Sequence, residues 1–396
     1  MMDTQRFKQV EQSISELLDH EILKDELAGA AVCITYKKEE VFRKNYGYAD
    51  LESKRVIENN TIFRLYSMTK PITAVASMIL LERGKIDLHT PISEYLKAFK
   101  NMKVLNNGKP VDANREILVR DLLSMTSGLV YPDPDPAGFY MQKLFDHLQN
   151  EINHGNQIPT KELCDLIAEQ PLAFHPGDRW RYGLSSDVMG AIIEVVSGKS
   201  LGEFYQSEIF DPLAMVDTGF YVPKEKQNRL AQLYRYIEKE DKHSLEPEEN
   251  RHLCLTKCLE PPLFESGGAG LLSTMDDYIK FTNMLVNGGR YQDKQILGKK
   301  AMEVLTCNQL TEKQRATVYF ETLEGYGYGN FMRVNLDPSH SGGSGCVGEF
   351  GWDGWTGPYF TVNPTDEFTF IFMVQRCEYS NPALIRKLRN IAYSFL

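Results

Sequence analysis

The chain has 396 residues, of which 42% are hydrophobic and 25% charged, an ordinary composition for a globular protein of roughly two domains. Its formal net charge of −10 argues against nucleic acid or an anionic membrane surface as the main partner. The sequence shows neither a signal-peptide core nor a membrane span, and its seven cysteines have no regular spacing. We therefore expect a cytoplasmic protein whose oligomeric state the sequence leaves open.

The N-terminal elements follow from hydrophobic periodicity. Apolar side chains recur at helical spacing over residues 4–23, which predicts an amphipathic helix. Residues 29–36 have the apolar composition of a buried strand, and residues 41–46 return as a second strand after a polar turn. These two strands predict an antiparallel hairpin.

The next segment predicts a helix that carries a serine and a lysine on one face. Its apolar stripe falls at helical spacing, at Ile72, Val75, Ala76, Ile79 and Leu80. Pro71 is tolerated only in the first turn, so the helix should begin near Ser67. Ser67 and Lys70 then lie one turn apart. Alone, the pair fits either a Ser-x-x-Lys nucleophile or a helix start with a solvated lysine.

The middle of the chain predicts helices joined by long loops. Helical patterns cover residues 118–123, 161–170 and 187–196. The loop of residues 131–136 begins with Tyr131 and alternates proline with aspartate, so it is either the lip of a site or a surface connection. Residues 236–262 are charged and poorly periodic, which predicts a mobile insert.

The C-terminal region changes to strands. Residues 349–353, 359–363 and 368–375 are strand-like, and a closing helix starts after Asn381 and Pro382. We predict an α/β protein of the α+β type, with an antiparallel sheet of about five strands flanked by the terminal helices. Residues 1–75 and 263–396 would form one discontinuous domain, with residues 76–262 inserted as a mainly helical domain.

Ser67 needs a base before it can act as a nucleophile. Lys70 can serve only if burial or another cation lowers its proton affinity. Tyr182, in a turn ahead of a buried helix, offers a partner: the lysine charge would favour its phenolate, and the phenol could relay protons. Its alternative role is a tyrosine that packs on that helix. The histidines show no metal-ligand pairing, so we expect neither a metal nor a cofactor.

The motifs together resemble those of the serine β-lactamase and penicillin-binding-protein-like family. FRLYSMTKP at residues 63–71 is similar to the nucleophile motif, and GKIDL at residues 84–88 to the segment after it. DLLSMTSGL at residues 121–129 departs from the family pattern at Met125, where histidine is usual. Tyr182 matches the second-motif tyrosine, and GGAGLLST at residues 267–274 matches a further signature. Class C β-lactamases and family VIII carboxylesterases are the most similar branches, which implies a β-lactamase/transpeptidase-like fold.

The third motif departs from the lactamase pattern. FGWDGW at residues 350–355 places Trp352 where lactamases and DD-peptidases carry a lysine that attracts the substrate carboxylate. The resemblance implies an oxyanion hole made by the backbone N–H groups of Ser67 and Trp355. It also implies that Trp352, Asp353 and Gly354, with Tyr131, contact the substrate, and strand alternation would turn Asp353 away from the hole. Simple sheet packing is the alternative for the two tryptophans.

We therefore predict a serine hydrolase in which Ser67, Lys70 and Tyr182 work through an acyl-enzyme. Trp352 favours a small ester with an apolar acyl part, so a carboxylesterase is the main hypothesis. A β-lactamase or DD-peptidase acting on a lactam or peptide, an acyltransferase and a non-catalytic binding member are the alternatives.

Overall fold

The computed structural model describes residues 4–239, 242–249 and 253–396. Helices, where described, are α1 Thr4–Leu23, α2 Lys70–Glu82, α3 Val119–Leu123, α4 Pro136–Asn153, α5 Thr160–Ala168, α6 Ser185–Ser197, α7 Leu201–Tyr205, α8 Asp211–Leu213, α9 Met275–Val286, α10 Lys299–Leu305, α11 Glu312–Arg315 and α12 Pro382–Tyr393. Strands are β1 Gly29–Tyr36, β2 Glu39–Asp50, β3 Arg55–Val56, β4 Ile62–Arg64, β5 Lys103–Asn106, β6 Lys109–Asp112, β7 Tyr234–Lys239, β8 Lys242–Pro247, β9 Leu272–Thr274, β10 Arg290–Tyr291, β11 Lys294–Gln295, β12 Tyr326–Gly329, β13 Met332–Asn335, β14 Phe350–Asp353, β15 Tyr359–Asn363 and β16 Phe368–Met373.

The central sheet has eight strands in the order β12-β13-β14-β15-β16-β1-β2-β3, and neighbouring strands run antiparallel. The α+β class and the antiparallel sheet are confirmed, but the prediction of about five strands is wrong. The unpredicted strands are β3, which has two residues, and the hairpin β12–β13. Alternating glycines in β12 hide its strand pattern because glycine contributes no side chain to a period of two.

Two layers of helices cover the sheet. Alternating residues of β16 divide between them: Phe370 and Phe372 pack under α1 and α12, whereas Ile371 and Met373 face the larger core. Helix α9 lies on that second face, where the ring of Tyr278 contacts Phe360 edge to face. Helix α2 packs beyond it against α6 and α10, so the Ser67 segment lies between the sheet and the helical part.

The charged segment of residues 236–262 contains regular secondary structure in its first half. Residues 236–239 and 242–247 belong to the antiparallel hairpin β7–β8, and Leu253 and Cys254, further along, line the same cavity as Ser67. The hairpin was not predicted from the sequence, and the mobility of the insert stays a prediction, while residues 240, 241 and 250–252 lie outside the described residues. The division into two domains at residues 75 and 262 stays a prediction. None of the helices described has the length and apolarity that crossing a membrane requires.

Candidate active site

Ser67 lies in a single turn of 3-10 helix, Tyr66–Thr69, that leads directly into α2. The helical segment therefore starts at the predicted place, although its first turn is tighter than an α-helix. Tyr66 has φ +45°, a left-handed conformation that is unfavourable for a bulky residue and that turns the chain sharply from β4 into the helix. Such backbone outliers concentrate at functional sites.

Lys70 is completely buried, and its ammonium group contacts three oxygens. Nζ lies 3.1 Å from Ser67 Oγ, 3.0 Å from the Tyr131 hydroxyl and 2.8 Å from the Gly268 carbonyl oxygen. Burial lowers the pKa of Lys70 to about 7, even though the carboxylates of Asp187 and Asp353 act in the opposite direction. Near neutral pH a large fraction of Lys70 is thus the free amine, which can accept a proton.

The protonation state of Lys70 matches its contacts. A protonated lysine has three N–H donors, one for each oxygen. After deprotonation, two N–H bonds remain for Tyr131 and Gly268, and the lone pair faces Ser67 Oγ. The arrangement is suited to remove the hydroxyl proton of Ser67.

Tyr182 contacts Ser67 from the other side. Its phenol is hydrogen bonded to the Ser67 side chain, and the indole Nε1–H of Trp352 donates to the phenol oxygen at 3.0 Å. Lys70 Nζ lies 4.7 Å from the centre of the Tyr182 ring. Burial nevertheless raises the pKa of Tyr182 and favours the neutral phenol, while the effect of the lysine charge on the phenolate stays a prediction. Tyr182 is a neutral phenol at neutral pH, and it can give a proton.

Tyr131 reaches deeper than the lip of the cavity. Besides lining the cavity, it accepts the hydrogen bond from Lys70 and packs its ring 5.6 Å from that of Tyr182. Burial raises its pKa well above the usual value, so it too remains a neutral phenol. Its contact with Lys70 was not predicted from the sequence.

The end of β14 runs close to the Ser67 turn. A Cβ atom at Gly354 would lie 2.4 Å from the carbonyl oxygen of Leu65, so only glycine permits this approach. The Trp355 ring packs 5.1 Å from that of Tyr66, next to Ser67. The backbone of Trp355 is therefore held beside the nucleophile, and its part in an oxyanion hole stays a prediction.

Trp352 and Asp353 leave β14 on opposite faces. Trp352 reaches Tyr182, whereas Asp353 pairs with Arg333 of β13 at 3.4 Å. Partial desolvation at the cavity wall raises the pKa of Asp353, whose side chain is 48% exposed, although Arg333 and Lys70 oppose the rise. Arg333 also donates to the Phe360 carbonyl oxygen and lies over the ring of Tyr359. No sequence motif pointed to Arg333, since it belongs to the hairpin that the glycines concealed.

These residues open into a cavity of about 960 Å³. Many of its lining side chains are aromatic, among them Tyr66, Tyr131, Phe145, Tyr182, Phe320, Trp352 and Trp355. All the residues predicted for the site line this cavity except Lys70, which lies beneath Ser67. An apolar group therefore finds a matching surface next to the nucleophile.

A second serine sequence, Gly-x-Ser-x-Gly at residues 198–202, does not form a nucleophile elbow. Ser200 follows α6 and caps α7, where its hydroxyl accepts from the backbone N–H of Glu203 at 3.2 Å. An elbow serine stands between a strand and a helix at the top of a sheet. Ser200 is exposed and lies outside the cavity, so this motif supplies no nucleophile to the site that contains Ser67.

Comparison with known proteins identifies the family. The family model described as Beta-lactamase matches residues 8–392. Esterase EstB of Burkholderia gladioli is 28% identical over 372 residues, covering 88% of this chain and 86% of that protein. Protein Rv1367c of Mycobacterium tuberculosis is 31% identical over 376 residues, covering 92% and 89%. The solved structure of EstCE1, a hydrolase with promiscuous acyltransferase activity, has a TM-score of 0.81 at 23% identity, covering 98% of this chain and 99% of that one.

The match extends over nearly the whole chain and includes the segments that form the cavity. The name of EstB is that of an esterase, and a serine beside a buried lysine is suited to ester hydrolysis. The chain belongs to the beta-lactamase family and is a serine hydrolase.

Proposed function

We propose that the protein is a carboxylesterase in which Ser67 attacks the carbonyl carbon of a small ester. The observation that carries this proposal is the buried Lys70 Nζ, 3.1 Å from Ser67 Oγ, with a pKa lowered to about 7. A lysine in that state removes the Ser67 proton as the new bond to carbon forms.

Tyr182 completes the proton transfer. As a neutral phenol bound to the same hydroxyl, it donates a proton to the departing alkoxide when the ester C–O bond breaks. The Trp352 N–H stabilises the negative charge that develops on the phenol oxygen. The backbone N–H groups of Ser67 and Trp355 bind the oxyanion on the attacked carbonyl. Water then hydrolyses the acyl-enzyme by the reverse steps, which restores the Ser67 hydroxyl.

The cavity supports an uncharged acyl group as substrate. Trp352 provides aromatic surface and no positive charge, and other aromatic side chains, including those of Tyr66 and Tyr182, line the same cavity. The similarity to EstB, which is named as an esterase, agrees with this substrate class. The protein has no lysine at position 352 that could bind the free carboxylate of a lactam or peptide.

Ester turnover tests the proposal directly. The wild-type protein should release p-nitrophenol from short-chain esters, and Ser67→Ala should reduce the release by about 10⁴-fold or more. A fluorophosphonate probe should label the wild type and not this variant. Ser200→Ala is the matched control, because it removes the serine of the other motif and should keep wild-type turnover. Unchanged turnover in Ser67→Ala would refute the proposal.

Acyl transfer is a second candidate because the same acyl-enzyme can react with an alcohol. The cavity of about 960 Å³ can hold an acyl group and an acceptor together, and EstCE1 is described as a hydrolase with promiscuous acyltransferase activity. Product ratios with and without added alcohol measure this activity. Nitrocefin and D-Ala-D-Ala peptides in the same panel measure the β-lactamase and DD-peptidase alternatives, and turnover of either that equals ester turnover would reverse the preference.

A further inference from the structure

The third contact of Lys70 leads to a buried acid that the proposed reaction does not yet use. Its Nζ donates to the carbonyl oxygen of Gly268, and the N–H of the same peptide unit, on Ala269, donates to Ser266 Oγ at 2.9 Å. The Ser266 hydroxyl in turn donates to Asp187 Oδ1 at 2.5 Å. An unbroken chain of hydrogen bonds therefore joins Lys70 to Asp187.

Burial raises the pKa of Asp187, whereas the charge of Lys70 and the hydrogen bonds from Ser266 and Gly268 act against the rise and favour the carboxylate. Asp187 has 2% of its surface exposed and lies in the first turn of α6, where the helix dipole favours a negative charge. Besides Ser266, the backbone N–H of Gly268 donates to its Oδ1 at 3.1 Å. Within the described part of the chain no arginine, lysine or histidine forms an ion pair with Asp187, and Lys70 is the cation that acts on it electrostatically.

The glycines of this loop allow it to lie directly on α6. A Cβ atom at Gly268 would lie 2.7 Å from Asp187 Oδ2, and one at Gly267 would lie 2.6 Å from the carbonyl oxygen of Ser186. Neither position accepts a side chain without displacing the loop. The Gly268 carbonyl is thus fixed in place relative to Asp187.

We propose that Asp187 is a positioning residue of the Ser67 site, holding Lys70 against Ser67 through Ser266 and the Gly268–Ala269 peptide. Its charge also compensates Lys70 after the lysine has taken the serine proton. This inference rests on the proposed function, because it assigns Asp187 a part in the proton transfer from Ser67.

The physical basis is polarisation along the chain. A carboxylate that accepts from the Ser266 hydroxyl makes that oxygen a better acceptor for the peptide N–H. The peptide carbonyl then carries more negative charge and binds a protonated Lys70 more tightly. The other groups that face Lys70 are Tyr131 and Tyr182, which remain neutral, and Asp353, which is paired with Arg333. Unlike Asp353, Asp187 therefore has no ion-pair partner among the described residues, and Lys70 is the cation that it stabilises.

The pH dependence of ester hydrolysis separates this role from mere stability. The reaction needs neutral Lys70, so kcat/KM should fall as the pH decreases below about 7. Asp187→Asn removes the charge that stabilises protonated Lys70, which lowers the pKa of the lysine. The acid limb of the profile should shift to lower pH by about one unit. A variant that is only less stable would lose activity without this shift.

Ser266→Ala tests the chain of hydrogen bonds between Asp187 and Lys70. It keeps the charge of Asp187 but removes the hydroxyl that joins it to the peptide, so kcat should fall by about tenfold while KM changes little. The matched control is Ser186→Ala, because the buried Ser186 hydroxyl adjoins Gly268 yet has no hydrogen-bond partner among the described residues. This control should keep the wild-type kcat and pH profile.

The outcomes distinguish the two proposals. If Ser67→Ala keeps its turnover, the proposed function fails. If Ser67→Ala is inactive but Asp187→Asn retains the wild-type acid limb, the role of Asp187 is refuted and the proposed function stands. Should Asp187→Asn fail to fold in a thermal melt, Ser266→Ala decides, and a wild-type kcat in that variant overturns the inference.

Discussion

Two buried cations, Lys70 and Arg389, show how similar side chains serve different ends in this protein. Lys70 has no exposed surface and Arg389 has 3%, and both donate to a tyrosine hydroxyl. Arg389 lies 3.6 Å from Glu349, a fully buried carboxylate, whereas Lys70 reaches Asp187 only through intervening hydrogen bonds. The direct contact with Glu349 keeps Arg389 charged, whereas the indirect contact with Asp187 leaves Lys70 able to lose its proton.

The pKa shifts follow from that difference. Burial lowers the pKa of Lys70 to about 7, but neighbouring tyrosines and Glu349 raise the pKa of Arg389 despite its burial. Arginine also stays protonated at any pH that proteins encounter, so it cannot act as a base. Burial of a cation is therefore not enough to mark a catalytic site. Lowered proton affinity beside a hydroxyl group is the distinguishing feature.

Replacing Lys70 should give the largest loss of activity. Lys70→Met removes the base while keeping an unbranched side chain, so kcat/KM should fall by about 10⁴-fold or more. A lysine whose pKa is about 7 in the fold and about 10.4 in the unfolded chain destabilises the fold below pH ~10, and most strongly below pH ~7. The free energy of unfolding at pH 7 should therefore rise in this variant, as urea denaturation would measure.

Lys85→Met serves as the control, since Lys85 follows the same helix but is exposed. It should change neither turnover nor stability beyond about 0.5 kcal/mol. Wild-type turnover in Lys70→Met would show that another group takes the Ser67 proton.

Glu349→Gln, next to Arg389, should lower the stability of the protein and leave its activity nearly unchanged, the reverse of what we expect for Lys70→Met. It leaves Arg389 buried without its carboxylate and weakens the hydrogen bond from Tyr393, so the free energy of unfolding should fall by roughly 3–5 kcal/mol. At a temperature where the variant is folded, kcat/KM should remain near the wild-type value. The comparison variant is Glu208→Gln, which breaks a surface pair with Arg83 and should cost no more than about 1 kcal/mol. Equal stability losses in the two variants would contradict the structural role of Glu349.

The sequence predicts the elements that depend on local patterns, and it misses the contacts that depend on distant segments. The helix α1 and the strand β1 have the predicted bounds, because a long periodic pattern and a continuous apolar run are local signals. The spacing of Ser67 and Lys70 is local as well. Helix α4 was not predicted because its proline-rich approach indicated only a loop, yet Pro136 stands in its first turn behind the Asp135 cap.

The missed parts of the site depend on contacts between distant segments. Asp187 and Ser266 are 79 positions apart, and the partner of Asp353 lies in an unpredicted hairpin. No periodic pattern in the sequence indicates which carbonyl oxygen accepts the hydrogen bond from Lys70. Only the packing of the GGAGLLST loop on α6 brings the chain of hydrogen bonds together.

A smaller effect is expected where the site uses a neutral donor. Trp352→Phe keeps an aromatic ring against Tyr182 and Tyr328 but removes the N–H that donates to the Tyr182 oxygen. A hydrogen bond of this kind contributes about 0.5–1.5 kcal/mol, so kcat should fall by roughly 2–12-fold. KM for a short ester should change less, because the substituted ring still provides apolar surface.

Trp180→Phe is the matched control for the indole N–H. Trp180 also lies against Tyr182, with ring centres 6.3 Å apart, but its buried Nε1 has no hydrogen-bond partner among the described residues. Loss of the Trp180 indole N–H should leave kcat within about twofold of the wild type, since no group that transfers a proton loses a hydrogen-bond donor. If both variants lose kcat equally, ring packing rather than the Trp352 hydrogen bond holds Tyr182 in place. A loss confined to KM in Trp352→Phe would instead make this residue a substrate contact alone.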